Sequence, residues 1–417
     1  MHKEQQKEEE ATEEEIKEML EERRKKDEEK RLKDEKWLQD DKRYFEHKMG
    51  EFRSPVCCIL GHVDTGKTTL LDKIRRTNVQ EGEAGGITQQ IGATLFPEDK
   101  LKEEVSKCNS HFPVDVNVPG LLIIDTPGHE SFSNLRSRGS SLCDIAILVI
   151  DLQHGLEKQT LESMELLSKG KIPFVVALNK IDRSYNWKAR KDSSSYLTLQ
   201  DQQPESKQDY EDKLRKIILE LNAKGYNAAP YWDNPDPEDY ISLVPTSGVT
   251  GEGLPDLLSC IVQYSQTMPK IKKKITVRAD KFRCTVMEVK MIEGYGTTID
   301  CMLVDGRIKK DDQFVILGFE GPIITKVKAL LTPHPMKEMR IKDEYLHHRE
   351  IWGANGVKIA ATGLDKAVAG APLLLVHNED DIEDAKAIVE NEYENVKRKI
   401  KLEPLGVGVA ASTLGSL

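Results

Sequence analysis

The stretch Gly61-His62-Val63-Asp64-Thr65-Gly66-Lys67-Thr68 constrains this chain more than any other. It follows the apolar run 55–60 and leads into Thr69-Leu70-Leu71-Asp72-Lys73-Ile74, so it fits G-x-x-x-x-G-K-[ST] between a strand and a helix start. Glycines let such a loop curl until successive backbone N–H groups point inward, and the positive end of the following helix adds to the same concavity. The chemistry is phosphate binding. Val63, Asp64, Thr65, Gly66 and Thr69 are candidates for the cradle, Lys67 for the β- and γ-phosphates, and the Thr68 hydroxyl for Mg²⁺. Taken alone, the pattern also fits a glycine-bearing surface loop.

With 417 residues the chain has room for two or three domains, each with a sizeable core. A formal charge of −10 argues against nucleic-acid binding through a broad basic surface, so any RNA contact must be local. The seven cysteines form no C-x-x-C pair, and Cys57, Cys58 and Cys143 lie in or beside apolar runs, which reads as buried thiols in a reducing compartment. The N-terminus is charged rather than signal-like, and no apolar run reaches membrane-spanning length. The expectation is a cytoplasmic protein without membrane association.

Residues 1–53 interleave Glu, Lys, Arg and Gln with few apolar points, which reads as a charged helical or disordered extension, or as a docking helix for a partner. From 54 to 268, strand-length apolar runs at 55–60, 91–96, 121–125, 145–151, 174–178 and 241–245 alternate with helical patterns such as 158–169 and 254–266. That alternation predicts an α/β domain with a mainly parallel sheet and a ligand site at the carboxyl ends of its strands. The stretch 269–277 reads as a linker, whose Lys270, Lys272, Lys273 and Lys274 are either solvated or a local RNA contact. Short strands with turn signals over 278–378 predict a small antiparallel β-barrel. Residues 379–402 have helical periodicity, and 403–417 read as the start of a truncated third domain, so the expectation is a fragment of a longer protein. The segment 188–229 matches no pattern beyond a surface helix at 210–224.

The remaining chemistry-bearing motifs fall at the predicted strand ends. Asp125-Thr126-Pro127-Gly128 is an ordinary turn in isolation, but after a P-loop its Asp125 is placed to hold Mg²⁺ and its Gly128 to approach the γ-phosphate. In Asn179-Lys180-Ile181-Asp182 the Asp182 carboxylate can accept from both N1–H and the exocyclic amine of guanine, a donor pair adenine lacks. Asn179 would hold the loop and the purine edge, and Lys180 would lie along the base. Ser247-Gly248-Val249 could bring a backbone N–H to guanine O6. Gly86 and Thr88, in Gly85-Gly86-Ile87-Thr88, are candidates for a switch that closes over Mg²⁺ and the γ-phosphate, although a plain flexible loop also fits. His129 is the candidate for positioning the attacking water.

Together, in this order, these motifs resemble the translational GTPases, in which His follows the Asp-x-x-Gly. The wider strings Glu83-Ala84-Gly85-Gly86-Ile87-Thr88-Gln89-Gln90-Ile91-Gly92-Ala93, Lys180-Ile181-Asp182-Arg183-Ser184-Tyr185-Asn186-Trp187 and Gly294-Tyr295-Gly296-Thr297-Thr298-Ile299-Asp300 are similar to the initiation branch of that family, which holds eukaryotic factor 5B and bacterial factor two. The resemblance covers residues 45 to 417. It implies a P-loop GTPase domain followed by a β-barrel, and GTP hydrolysis stimulated by the ribosome to promote subunit joining. It implies contact with both ribosomal subunits, their ribosomal RNA and other initiation factors, with initiator tRNA held by C-terminal domains outside this chain, the protein acting as a monomer. It makes Lys67, Thr88 and His129 catalytic, gives GTP/GDP and Mg²⁺ as cofactors, and assigns Asp64 to a monovalent cation (K⁺ or Na⁺). Two departures stand out: Gly248 where Ala is usual, and Asp311-Asp312 where these barrels usually have Gly-Asp, so a different turn conformation is expected there. Rival readings are a GTP-controlled binding module whose hydrolysis only times release, an elongation-type tRNA carrier, and a P-loop kinase. The last leaves Asn179, Asp182 and His129 without a role.

Overall fold

The computed structural model describes residues 51–75, 92–108, 110–125, 142–278, 281–292, 294–337, 345–377 and 379–399. The expectations for the N-terminal extension and for a strand at 405–410 lie outside the described residues. The first domain is built on β1 (Val56–Gly61), β2 (Gly92–Pro97), β3 (Gly120–Asp125), β4 (Ile145–Asp151), β5 (Phe174–Asn179), β6 (Asn227–Pro230) and β7 (Tyr240–Pro245). Their order is β2-β3-β1-β4-β5-β7-β6, and only the β2–β3 pair is antiparallel. Such strands are apolar throughout because both faces are covered. Alternation sends Cys57 and Ile59 into one core and Val56, Cys58 and Leu60 into the other.

The covering helices are α1 (Lys67–Arg75), α2 (Glu98–Val105), α3 (Lys158–Lys169), the short α4 (Ser195–Gln200), α5 (Pro204–Ala223), α6 (Leu254–Thr267) and α7 (Pro269–Ile275). The surface helix expected at 210–224 is a longer one, α5, whose Tyr210, Leu214, Ile217 and Leu221 form a buried stripe against the second core. The stretch expected as a linker is mostly α7: Pro269 sits at its first position, where the missing N–H costs nothing, and Ile271 and Ile275 are fully buried. All seven cysteines are free thiols and buried, as their apolar neighbours suggested.

The second domain is a closed barrel. Its strands are β8 (Arg283–Ile292), β9 (Gly296–Asp305), β11 (Gln313–Gly318), β12 (Gly321–Thr332), β15 (Asn355–Ala361) and β16 (Pro372–Val376), in the cyclic order β11-β16-β8-β9-β15-β12 with β12 returning to β11. The short β13 (Leu346–His348) extends β12, while β10 (Arg307–Lys309) pairs with β14 (Glu350–Trp352). Inward residues such as Val286, Ile299, Cys301, Phe314 and Ile359 fill the interior. Helix α8 (Glu379–Lys399) lays Ala385 and Val389 on Val315, Leu317 and Val376. The turn at Asp311-Asp312 forms without a glycine. Asp311 itself takes the left-handed conformation at φ 71°, and Asp312 accepts the Lys309 N–H at 2.7 Å.

The barrel packs on the first domain through Met302, Val304 and Ala354, which join the second core of the α/β domain. A buried ion cluster fixes the same junction: Arg53 donates to both oxygens of Asp144 (2.6 and 3.1 Å) and through Nε to Asp305 (2.6 Å). Asp144 Oδ2 also accepts the Val56 N–H, so this charge sits at the entry to β1.

Candidate nucleotide site

Register aligns the carboxyl ends of the parallel strands on one rim: Ile59 lies beside Asp125, Gly61 beside Val149, Asp151 beside Asn179, and Leu178 beside Pro245. In open α/β sheets this is where ligands bind. The P-loop leaves β1 there and turns through Asp64 (φ 64°) and Gly66 (φ 84°). At Gly66 the lack of a side chain is required twice, by the backbone angle and by space, since a Cβ would stand 2.5 Å from Asn179 Nδ2. Thr65 Oγ1 donates to the His62 carbonyl (2.8 Å), and the Val63 N–H donates to Gln159 (3.1 Å), so the loop is braced from both sides. Lys67 is 6% exposed, and its ammonium reaches the carbonyls of Gly61 (3.0 Å) and His62 (2.5 Å). Thr68, the second residue of α1, is buried, as is Asp125 at the end of β3. These are hard oxygen donors at neighbouring strand ends, which suits Mg²⁺. Asp64 is exposed at the turn and offers a carboxylate there.

Asn179 is a two-way clamp. Its Nδ2 donates to the Thr65 carbonyl (2.7 Å), and its Oδ1 accepts the Gly248 N–H (3.0 Å), joining the P-loop to the 247–253 loop. Of the N–H groups in the 247–249 stretch, that of Gly248 is thus engaged by Asn179. Ser247 is fully buried and accepts the N–H groups of Val249 (3.2 Å) and Thr250 (3.1 Å), which shapes the turn and leaves Val249 exposed. Lys180 is left-handed (φ 67°), and its ammonium bridges the Asp64 carbonyl (2.5 Å) and Asp151 Oδ2 (2.7 Å). Asp182 lies in the 3₁₀ turn Ile181–Arg183, where its Oδ1 is buried with no hydrogen-bond partner in the protein. A buried acceptor left open at this point fits a ligand's N–H donors.

Two residues that sequence reasoning missed support these loops. Burial alone would raise the Asp151 carboxyl, but Lys180, the Gln153 N–H and His154 hold it below the usual carboxylate range. Its position at the end of β4, one strand from Asn179, was the available signal. Glu252 is fully buried and accepts from Trp187 Nε1 (3.2 Å), the Arg190 N–H (3.0 Å) and the Thr250 hydroxyl, which ties residues 187–190 to the 247–253 loop. The candidates Gly86, Thr88, Gly128 and His129 lie outside the described residues.

Residues 53–267 match the family model "Elongation factor Tu GTP binding domain". The chain is 54% identical over 367 residues to eukaryotic translation initiation factor 5B of Schizosaccharomyces pombe, covering 88% of this chain and 34% of that protein. It is 50% identical over 381 residues to the Homo sapiens factor of the same name, covering 90% and 31%. It thus spans about a third of the length of these relatives. The crystal structure of GDP-bound aIF5B from Aeropyrum pernix superposes with a TM-score of 0.73 at 41% identity, over 83% of this chain and 58% of that one.

Proposed function

The chain belongs to the translational GTPases through its elongation factor Tu GTP-binding domain, and from that premise we propose that it binds GTP and hydrolyses it on the ribosome as an initiation factor that promotes subunit joining. The observation that carries the guanine assignment is the Asn179 clamp, which holds the P-loop and the 247–253 loop together while Asp182 keeps a buried oxygen open beside them. The initiation assignment rests on similarity to factors named 5B in yeast and human. Contacts with both ribosomal subunits and their RNA, with initiator tRNA and with other initiation factors belong to the same reading, as do a cytoplasmic location and action as a monomer.

The mechanism is positioning and charge neutralisation. Lys67 exchanges its loop carbonyls for the β- and γ-phosphates, and the loop N–H groups meet the remaining oxygens. Thr68, Asp125 and Thr88 would hold Mg²⁺, which would supply neutralising charge beside the phosphates. Asp64 would hold a monovalent cation in place of an arginine finger, Gly86 would belong to the switch beside Thr88, and the Gly128 N–H would meet the γ-phosphate. His129 orients the attacking water. Turnover measured with and without ribosomes tests the reading: His129→Ala should lose ribosome-stimulated hydrolysis by about 100-fold or more while GTP affinity stays within a few-fold. Equal turnover in the variant and the parent would overturn the role of His129, and turnover indifferent to ribosomes would overturn the ribosomal assignment.

A further inference from the structure

We propose that Cys108, His111 and Asp256 form a site for a divalent metal of the zinc class, separate from the nucleotide's Mg²⁺. The chain leaves α2 through the 3₁₀ turn Ser106–Cys108, and the N–H groups of His111 and Phe112 both return to the Cys108 carbonyl (3.1 and 2.8 Å). That turn folds a C-x-x-H spacing back on itself. Asp256, the third residue of α6 and fully buried, enters from the other side. Sγ, imidazole nitrogen and carboxylate oxygen lie within 4.8 Å of one another. On one tetrahedral zinc such atoms stand about 3.3–3.6 Å apart, so the set closes by roughly 1 Å on binding.

The polar groups here converge on one point. His111 Nε2, which carries at most one hydrogen, has three oxygens around it: Tyr231 OH (3.0 Å), Ser194 Oγ (3.1 Å) and Asp256 Oδ1 (3.2 Å). Tyr231 OH and Ser194 Oγ (2.7 Å) both also donate to that same Oδ1. A cation at this point would meet the Asp256 carboxylate and the imidazole directly, with Tyr231 or Ser194 available as a fourth ligand. The surrounding groups orient the ligands as in a metal's outer shell. Ser110 Oγ stands 3.3 Å from His111 Nδ1, Tyr196 stacks on the imidazole at 4.8 Å, and the Ser195 N–H holds Asp256 Oδ2 at 2.9 Å. A serine–histidine–aspartate relay is excluded, because Ser194 and Asp256 meet the same ring nitrogen and no proton can pass through the ring.

On binding, the Cys108 thiol gives its proton to solvent and coordinates as thiolate. The site staples the turn after α2, the 193–195 segment and the start of α6, just after the 247–253 loop, whose Gly253 N–H bonds to the Ser193 carbonyl at 3.0 Å. The test uses the full chain stripped by chelator, then titrated with Co²⁺ and competed with Zn²⁺. Expected is binding of about one Co²⁺ per chain with a thiolate-to-cobalt charge-transfer band, displaced by Zn²⁺. Cys108→Ser should lose the band and Asp256→Asn should weaken Co²⁺ at least about 10-fold, each variant being checked for GDP binding as a test of its fold. If Cys108→Ser does not bind GDP, His111→Gln supplies the same comparison. A folded parent with no band, or a band that persists in folded Cys108→Ser, would overturn the proposal.

Discussion

At the scale of single residues, the P-loop and its neighbours are held by atoms rather than by area, and small changes should register. At Gly248 a Cβ would meet the backbone of α1, 3.0 Å from Leu70 N and 3.2 Å from Thr69 C. Gly248→Ala should therefore push the 247–253 loop off α1 and destabilise the domain by about 1 kcal/mol, read as a lower urea midpoint. An unchanged midpoint would mean that the backbone yields at no cost. The places of Asn179 and Asp182 at the end of β5 were legible in the sequence because an apolar run of strand length leads straight into them. Asp151 and Glu252 were not, since nothing in a lone buried carboxylate announces which amide or ammonium it will meet. Their partners Lys180, Trp187 and Arg190 come together only once the strands are aligned.

At the scale of elements, the barrel carries an uncommon ion pair between adjacent strands. Lys358 on β15 donates to both oxygens of Asp300 on β9 at 2.7 Å, both residues are 1% exposed, and Lys290 stands 3.9 Å from the same carboxylate. Burial pushes the Asp300 carboxyl up against the pull of Lys358. Lys358→Met strands that carboxylate and should cost about 3–5 kcal/mol in denaturant unfolding, and a second change, Asp300→Leu, should recover most of it. A loss below about 1 kcal/mol would show that the pair behaves as a solvated one. Elements with one strong pattern were legible: the apolar runs of β1, β4 and β5 needed no context. Strand β6 was not, because Asn227-Ala228-Ala229-Pro230 has small side chains and only Ala228 is buried. Helix α7 was hidden by its lysines, with only Ile271 and Ile275 facing inward.

At the scale of the molecule, the α/β domain and the barrel meet through an apolar contact at Met302, Val304 and Ala354 and through the Arg53–Asp144–Asp305 cluster. The two-domain plan could be read from the change of periodicity near residue 280, whereas the junction could not, because Arg53, Asp144 and Asp305 are far apart in sequence and unremarked by any motif. The proposed function places the nucleotide on the rim of the first domain, beside the P-loop, Asn179, Asp182 and Ser247. The most direct test of that claim is calorimetric titration of the full chain with GDP and with ADP in Mg²⁺, repeated on Asp182→Ala. Two hydrogen bonds to the Asp182 carboxylate predict GDP at least about 100-fold tighter than ADP, with most of the difference gone in the variant. Equal affinities for the two nucleotides, or a variant that still prefers GDP as strongly as the parent, would contradict it.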